Sequence, residues 1–210
     1  MGIGPIPRSA TTFGMTECLP DTLVDLADAL HTHTMLEDVA ISMYETSRLA
    51  QVVGEASWDA EPLSVSRWTR ELAAAMPQLR SLRIVVDDPV IEVEDGQIDV
   101  DGSVGTVVRL LATHSELPLR ALVTNVPIRL AADDRLLARL ADVRVLGLAD
   151  EDELTMAIPH CPALKLVVVQ GKRPQGLRDI CAKRGVKLVG LKSLKRAMVR
   201  RVVEGVDAAE

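Results

Sequence analysis

Leu140-Ala141-Asp142-Val143-Arg144-Val145-Leu146-Gly147-Leu148 and Ile158-Pro159-His160-Cys161-Pro162-Ala163-Leu164-Lys165-Leu166-Val167-Val168-Val169 say the same thing twice. In each, a short amphipathic segment runs into a short β-rich one: residues 136–140 into 143–148, and 154–158 into 164–169. A third copy runs from residues 177–181 into 186–191. With Val145, Leu166 and Leu188 taken as the inward-facing positions, the steps between copies are 21 and 22 residues. Units of this length cannot bury their own apolar faces and stack on one another, so the period predicts a solenoid.

The same unit recurs upstream. Trp68, Leu72 and Met76 share a helical face, Pro77 stops the helix, and Leu79, Leu82, Ile84 and Val86 supply a strand. Val107, Leu110 and Leu111 read as a helix, followed by a strand through Leu119, Leu122 and Thr124. Leu23, Leu26 and Leu30 have helical spacing behind a cap at Asp21 or Thr22, and Leu36, Val39 and Ile41 alternate as a strand. A helix over residues 46–53 leads to a short strand at Pro62-Leu63-Ser64-Val65. Inward positions at Ile41, Val65, Ile84, one lost, Thr124, Val145, Leu166 and Leu188 make seven intervals over 147 residues, a mean of 21. Seven or eight irregular repeats are expected.

Three segments stand outside the repeat. Residues 1–18, rich in Gly, Pro, Ser and Thr without an apolar period, read as a flexible arm. Around residues 88–103, Asp95-Gly96 sits between alternating residues and predicts an inserted hairpin pairing Val93 with Ile98 and Ile91 with Val100; Glu92, Asp99 and Asp101 fall on its other side. Those carboxylates lack the spacing of a calcium loop. Residues 193–210 read as a capping helix and tail, with Leu191, Leu194, Met198 and Val202 on one face and Lys195, Arg196, Arg200 and Arg201 off it. That leaves residues 19–192 as the repeat domain.

The composition fits. The chain has 210 residues, 48% hydrophobic but only 2% aromatic, so its core is built from small aliphatic side chains. Cys18, Cys161 and Cys181 are an odd set without C-x-x-C spacing, and no charged-then-apolar leader is evident, so unpaired thiols in the cytoplasm or nucleus are expected. No apolar run approaches the roughly 18 residues of a membrane helix, so no membrane partner is expected. The net charge of −6 hides an asymmetry: residues 165–201 hold 12 Lys and Arg against Asp179 alone, or +11, leaving −17 for the remainder. This basic end lacks the aromatics on which single-stranded nucleic acid stacks, and nucleic acid is not the expected partner.

The wording of Met76-Pro77-Gln78-Leu79-Arg80-Ser81-Leu82-Arg83-Ile84 and of the two opening stretches resembles leucine-rich-repeat domains of the ribonuclease-inhibitor-like type, and in style the repeat domains of fungal F-box proteins. The likeness spans most of residues 20–192. It implies an α/β leucine-rich-repeat solenoid, a curved parallel sheet of about 21-residue repeats with every helix on the convex wall. It also implies a non-catalytic protein-binding module, with ubiquitin-ligase components as partners if an F-box is present. Two departures matter: Asn125 is the only asparagine, so no asparagine ladder can run along the sheet, and Leu19-Pro20-Asp21-Thr22-Leu23 opens like an F-box without the Trp that closes one.

No catalytic constellation emerges, and no cofactor or metal is expected. His31 and His33 point to different sides of a helix. His160 beside Cys161 suggests a thiolate pair, but Cys161 occupies a leucine position of its repeat and reads as a core thiol, as does Cys181. An α/β enzyme is the rival reading, and Gln170-Gly171-Lys172 only approaches a phosphate-binding loop. For a protein partner the expected surface is the concave face: a basic row of Arg83, Arg144, Lys165 and Lys187 beside a mostly apolar row of Val85, Asn125, Leu146, Val167 and Val189. Such a surface suits an acidic and apolar segment. The alternative is that long cationic side chains merely shield apolar strand surface.

Overall fold

The structure, a computed structural model, describes residues 6–7, 9–18, 29, 35–43, 64–86, 104–114, 116–128, 130 and 134–205. Its strands are β1 (Thr12–Cys18), β2 (Asp38–Met43), β3 (Ser81–Val86), β4 (Ala121–Thr124), β5 (Val145–Gly147), β6 (Leu166–Val169) and β7 (Lys187–Gly190). Its helices are α1 (Ser64–Ala75), α2 (Val104–Thr113), α3 (Asp134–Arg139), α4 (Glu151–Ala157), α5 (Gln175–Lys183) and α6 (Arg196–Glu204). The strands form one parallel sheet whose spatial order is the sequence order, β1 to β7. The order never reverses, so the sheet lacks the switch point of a doubly wound fold.

Register explains which face each strand residue takes, because partners across a parallel ladder lie on the same side. Val39, Leu82, Leu122, Leu146, Val167 and Leu188 are successive partners. They pack with Leu72 and Met76 of α1, Val108 and Leu111 of α2, Leu136 of α3, Leu154 of α4 and Leu177 of α5. One sequence frame places them. Leu36/Val39/Ile41, Leu79/Leu82/Ile84, Val143/Leu146/Leu148 and Leu164/Val167/Val169 each follow the spacing i, i+3, i+5, and all belong to this core. Local signals set the helix ends: Asp150 accepts a 2.7 Å bond from the Asp152 amide to start α4, and Gly205 closes α6 at a φ of 86°.

Several expectations need correction. Ser64 and Val65 lie in the first turn of α1 and not in a strand. The register steps are 26 residues (Met15 to Ile41), 43 (Ile41 to Ile84), 40 (Leu82 to Leu122), 24 (Leu122 to Leu146) and then 21 twice (Leu146 to Val167 to Leu188). A period of 21 therefore belongs to the last three strands alone. The expected arm is a strand over Thr12–Cys18, paired in parallel with β2. The hairpin around residues 88–103, the helices at 23–30 and 46–53, His31, His33 and the Leu19-Pro20 opening fall outside the described residues, apart from residue 29.

The helices are not all on one wall. α6 lies on the face turned away from α1–α5, where Val199, Val202 and the preceding Leu194 pack on Ala121, Val123, Val145, Leu166, Val168 and Val189. It therefore covers a sheet face instead of capping the end of the stack. The connection from β7 is short, yet Arg196 reaches the Phe13 carbonyl of β1 at 2.7 Å. A flat sheet would hold those two edge strands about 29 Å apart at 4.8 Å per strand. Six residues that include a 3₁₀ turn at Leu191–Ser193, plus one arginine side chain, reach about 23 Å. The sheet must coil toward α6 for the bond to form.

Candidate functional site

The basic row exists with a different membership. At the N-terminal ends of the strands the Arg80 amide donates to the Glu37 carbonyl, Arg120 to Arg80, Arg144 to Arg120, and Lys165 to Arg144, at 2.7 to 2.9 Å. Arg80, Arg120, Arg144 and Lys165 are thus equivalent positions on adjacent chains. Like charges so placed repel, and three of the four are compensated. Arg80 pairs with Glu37 at 3.9 Å and Arg120 with Asp142 at 3.2 Å. Arg144 donates to the Val203 carbonyl at 3.2 Å and caps the C-terminal end of α6.

The other expected site residues divide between the two faces. Leu146 and Val167 are fully buried in the helix-covered core, so they offer no partner surface. Val189 is on the opposite face but is covered in the α6 cluster. Lys187 pairs with Leu166 and is exposed near the β7 edge. Arg83 and Val85 do lie on the second face, opposite Ala40 and Ser42 of β2. Asn125 faces neither: its side chain is clamped on Val86, accepting from the amide at 2.7 Å and donating to the carbonyl at 2.5 Å. That is a single rung of side-chain bonding at the end of β3.

The space that remains accessible is a cleft of about 810 Å³ at the C-terminal ends of the strands. Its accessible apolar residues are Val85 and Leu191, and its cations are Arg83 on β3, Arg173 after β6 and Lys192 after β7. Thr16, Ser42, Gln170 and Ser193 add hydroxyl and amide groups, and no carboxylate is among the described residues that line it. Gly171, at a φ of 80°, turns the loop that presents Arg173. Arg173 and Lys192 were invisible as site residues in the sequence, because nothing local says that loops three and four strands from β3 close over it.

Arg83 is half-buried, and burial pulls its pKa down; Asp38 opposes that shift and Arg196 adds to it. The Arg83 side chain makes no hydrogen bond to any described residue. The neighbouring arginine is paired: Arg196 bonds Asp38 at 2.5 Å through Nε and donates through Nη2 to the carbonyls of Phe13 and Asp38 at 2.7 and 3.3 Å. Gly14 makes room for this clamp, since a Cβ there would stand 2.8 Å from the Arg196 Nη1.

Cys161 is buried with its thiol pushed up to about 12 by desolvation, partly offset by Arg184, and its Sγ donates to the Ala157 carbonyl at 3.2 Å. His160 beside it is exposed. Cys181 is also buried and its thiol is raised for the same reason. Both are core groups. Arg184 and Arg139 each reach back about one repeat, to the carbonyls of Ile158 and Cys161 and of Leu117, and so tie successive turns together.

Fold and cleft together define an α/β protein: among the described residues, a sequentially ordered parallel sheet with α6 across its second face and a cationic opening at the strand ends. No helix among the described residues is long and apolar enough to cross a membrane. No protein-family model matches the chain, and no curated protein does. Among solved structures the chain is similar to a protein from Bacteroides fragilis, at 13% identity over 88% of this chain and 75% of that one. The TM-score of 0.34 is too low for that likeness to carry an argument about fold or function.

Proposed function

We propose that the chain is a divergent leucine-rich-repeat solenoid acting as a non-catalytic, intracellular protein-binding module. The partner's acidic and apolar segment docks in the cleft at the C-terminal ends of the strands. The in-order sheet, the recurring i, i+3, i+5 frame and the Asn125 rung support the solenoid reading. One observation carries the binding reading: three cations from three separate elements gather around the apolar Val85 and Leu191, with no carboxylate among the described lining residues. Such a surface attracts and orients an acidic chain more than it adds raw affinity. The cation row at the strand N-termini is a poorer candidate, since its arginines already hold Glu37, Asp142 and α6.

The test is a double charge reversal, Arg173→Glu with Lys192→Glu, compared with Lys183→Glu on the helical wall. Affinity capture with quantitative mass spectrometry should lose a defined set of proteins from the double variant and keep it on the control. Equal capture by all three proteins would remove the cleft from consideration.

A further inference from the structure

We propose that Arg83 is the anchor of the cleft, receiving one carboxylate of the partner's acidic segment, while Arg173 and Lys192 at the rim steer it in. This rests on the reading of the cleft as an acid-binding surface and adds which residue discriminates.

A half-buried guanidinium with five donors normally has its forks filled, because desolvating a charge is costly unless it is paired. Arg196, on the same face, meets that rule with Asp38 and two backbone carbonyls. Arg83 does not. Its partners along the sheet are Ala40 and Val123, which accept nothing from its head group. Asp38, the nearby carboxylate that acts on it electrostatically, is already bonded to Arg196. Arg83 lines the cleft together with Val85, its neighbour on the same face of β3. An incoming carboxylate would fill both arms of the fork in partly desolvated surroundings, where charge-assisted bidentate pairs are strongest. Arg173 and Lys192 differ in kind: both are exposed, so water screens them and their influence falls on the encounter.

The experiment uses the full chain and a fluorescein-labelled extended peptide alternating Glu and Leu, with a Gln/Leu peptide as control. Arg83→Met should weaken binding of the Glu peptide by about thirty-fold or more, mainly through faster dissociation. Arg83→Lys, which keeps the charge but loses the planar fork, should weaken it about ten-fold. Arg173→Met and Lys192→Met should each cost about two- to five-fold, appear in the association rate and flatten the salt dependence. Arg83→Met should also melt at or above the wild-type temperature, since it removes a half-buried charge that no described residue pairs.

If the wild type binds and Arg83→Met binds within threefold of it, the anchor is overturned while the cleft survives as a diffuse acid-binding surface. A lower melting temperature for Arg83→Met would assign Arg83 a structural role and equally overturn it. If the wild type does not distinguish the Glu from the Gln peptide, the acid-binding reading fails, and the anchor with it.

Discussion

The second face of the sheet is two surfaces on one backbone. Across β1, β2 and β3 its rows read Thr12, Asp38, Ser81 and Gly14, Ala40, Arg83. Across β4 to β7 the same rows read Ala121, Val145, Leu166, Lys187 and Val123, Gly147, Val168, Val189. The apolar half demands a cover, and α6 supplies it with Val199 and Val202. The polar half takes the other side of the same helix, through the Arg196–Asp38 clamp. The helix thus sits at the border between the halves. Among the described residues the strand-end cleft stays open where the broad sheet face does not, and the proposed docking site is placed there for that reason.

The sharpest way to break this comparison is to truncate one residue in each half. Leu166→Ala should cost about 3 kcal/mol in urea unfolding, as for a core leucine, although it points away from α1–α5. Thr12→Ala, exposed in the polar half, should stay within about 0.5 kcal/mol of wild type. Similar small effects at both sites would mean that α6 does not cover the sheet. Gly147→Ala comes next. A Cβ there would lie 2.9 Å from the Val168 Cβ and 3.1 Å from the Val123 Cγ1, its row neighbours, and should cost about 2 kcal/mol.

The same contrast decides what could be read from the sequence. In β3 the two faces differ, with Leu82, Ile84 and Val86 on one and Ser81, Arg83 and Val85 on the other, so the strand's phase was legible. In β5 and β6 both faces are apolar, as in any parallel sheet covered twice, and alternation vanishes. Leu140/Val143/Val145 and Val143/Leu146/Leu148 then satisfy the same i, i+3, i+5 spacing, and the earlier frame puts Leu146 and Val167 on the wrong side. The 22-residue step to Leu188 carried the clue: Leu166 pairs with Lys187, and a one-residue slip exchanges the faces. The sequential parallel sheet was legible from the repeats. The cover by α6 was not, because an amphipathic helix does not declare which apolar surface it will meet, and the cleft followed the cover.

Cys161 separates the helix-covered core from the second face by pH. Its folded pKa is raised, to about 12, above the unfolded value of 9.0. The neutral thiol is therefore favoured by folding, and the contribution is fully present below pH 9 and lost as pH rises toward 12. Stability at pH 10 should be about 1 kcal/mol below that at pH 8, and Cys161→Ala should remove most of that slope. A slope left intact in the variant would locate the alkaline sensitivity elsewhere. Arg196→Ala tests the border itself: losing one charge-assisted pair and its carbonyl bonds, on a side chain that is 39% exposed, should cost about 1 kcal/mol. Asp38→Asn should share much of that loss, and the double variant should cost less than the sum of the two.

The smallest expected effect isolates what holds α6 down. Arg200 lies one turn after Arg196 and pairs with Glu204 at 2.8 Å, a geometry as good on paper as the clamp. The bond to Glu204 raises the Arg200 pKa. Both side chains, however, stand in solvent, at 64% and 47% exposure, and join two residues of the same helix. Water and salt screen such a pair, and ordering two long side chains offsets what attraction remains. Arg200→Ala should leave the urea midpoint unchanged within error, while Arg196→Ala moves it. A midpoint shift at Arg200 equal to that at Arg196 would show that helix formation, and not the crossing from α6 to β1 and β2, limits the stability of the cover.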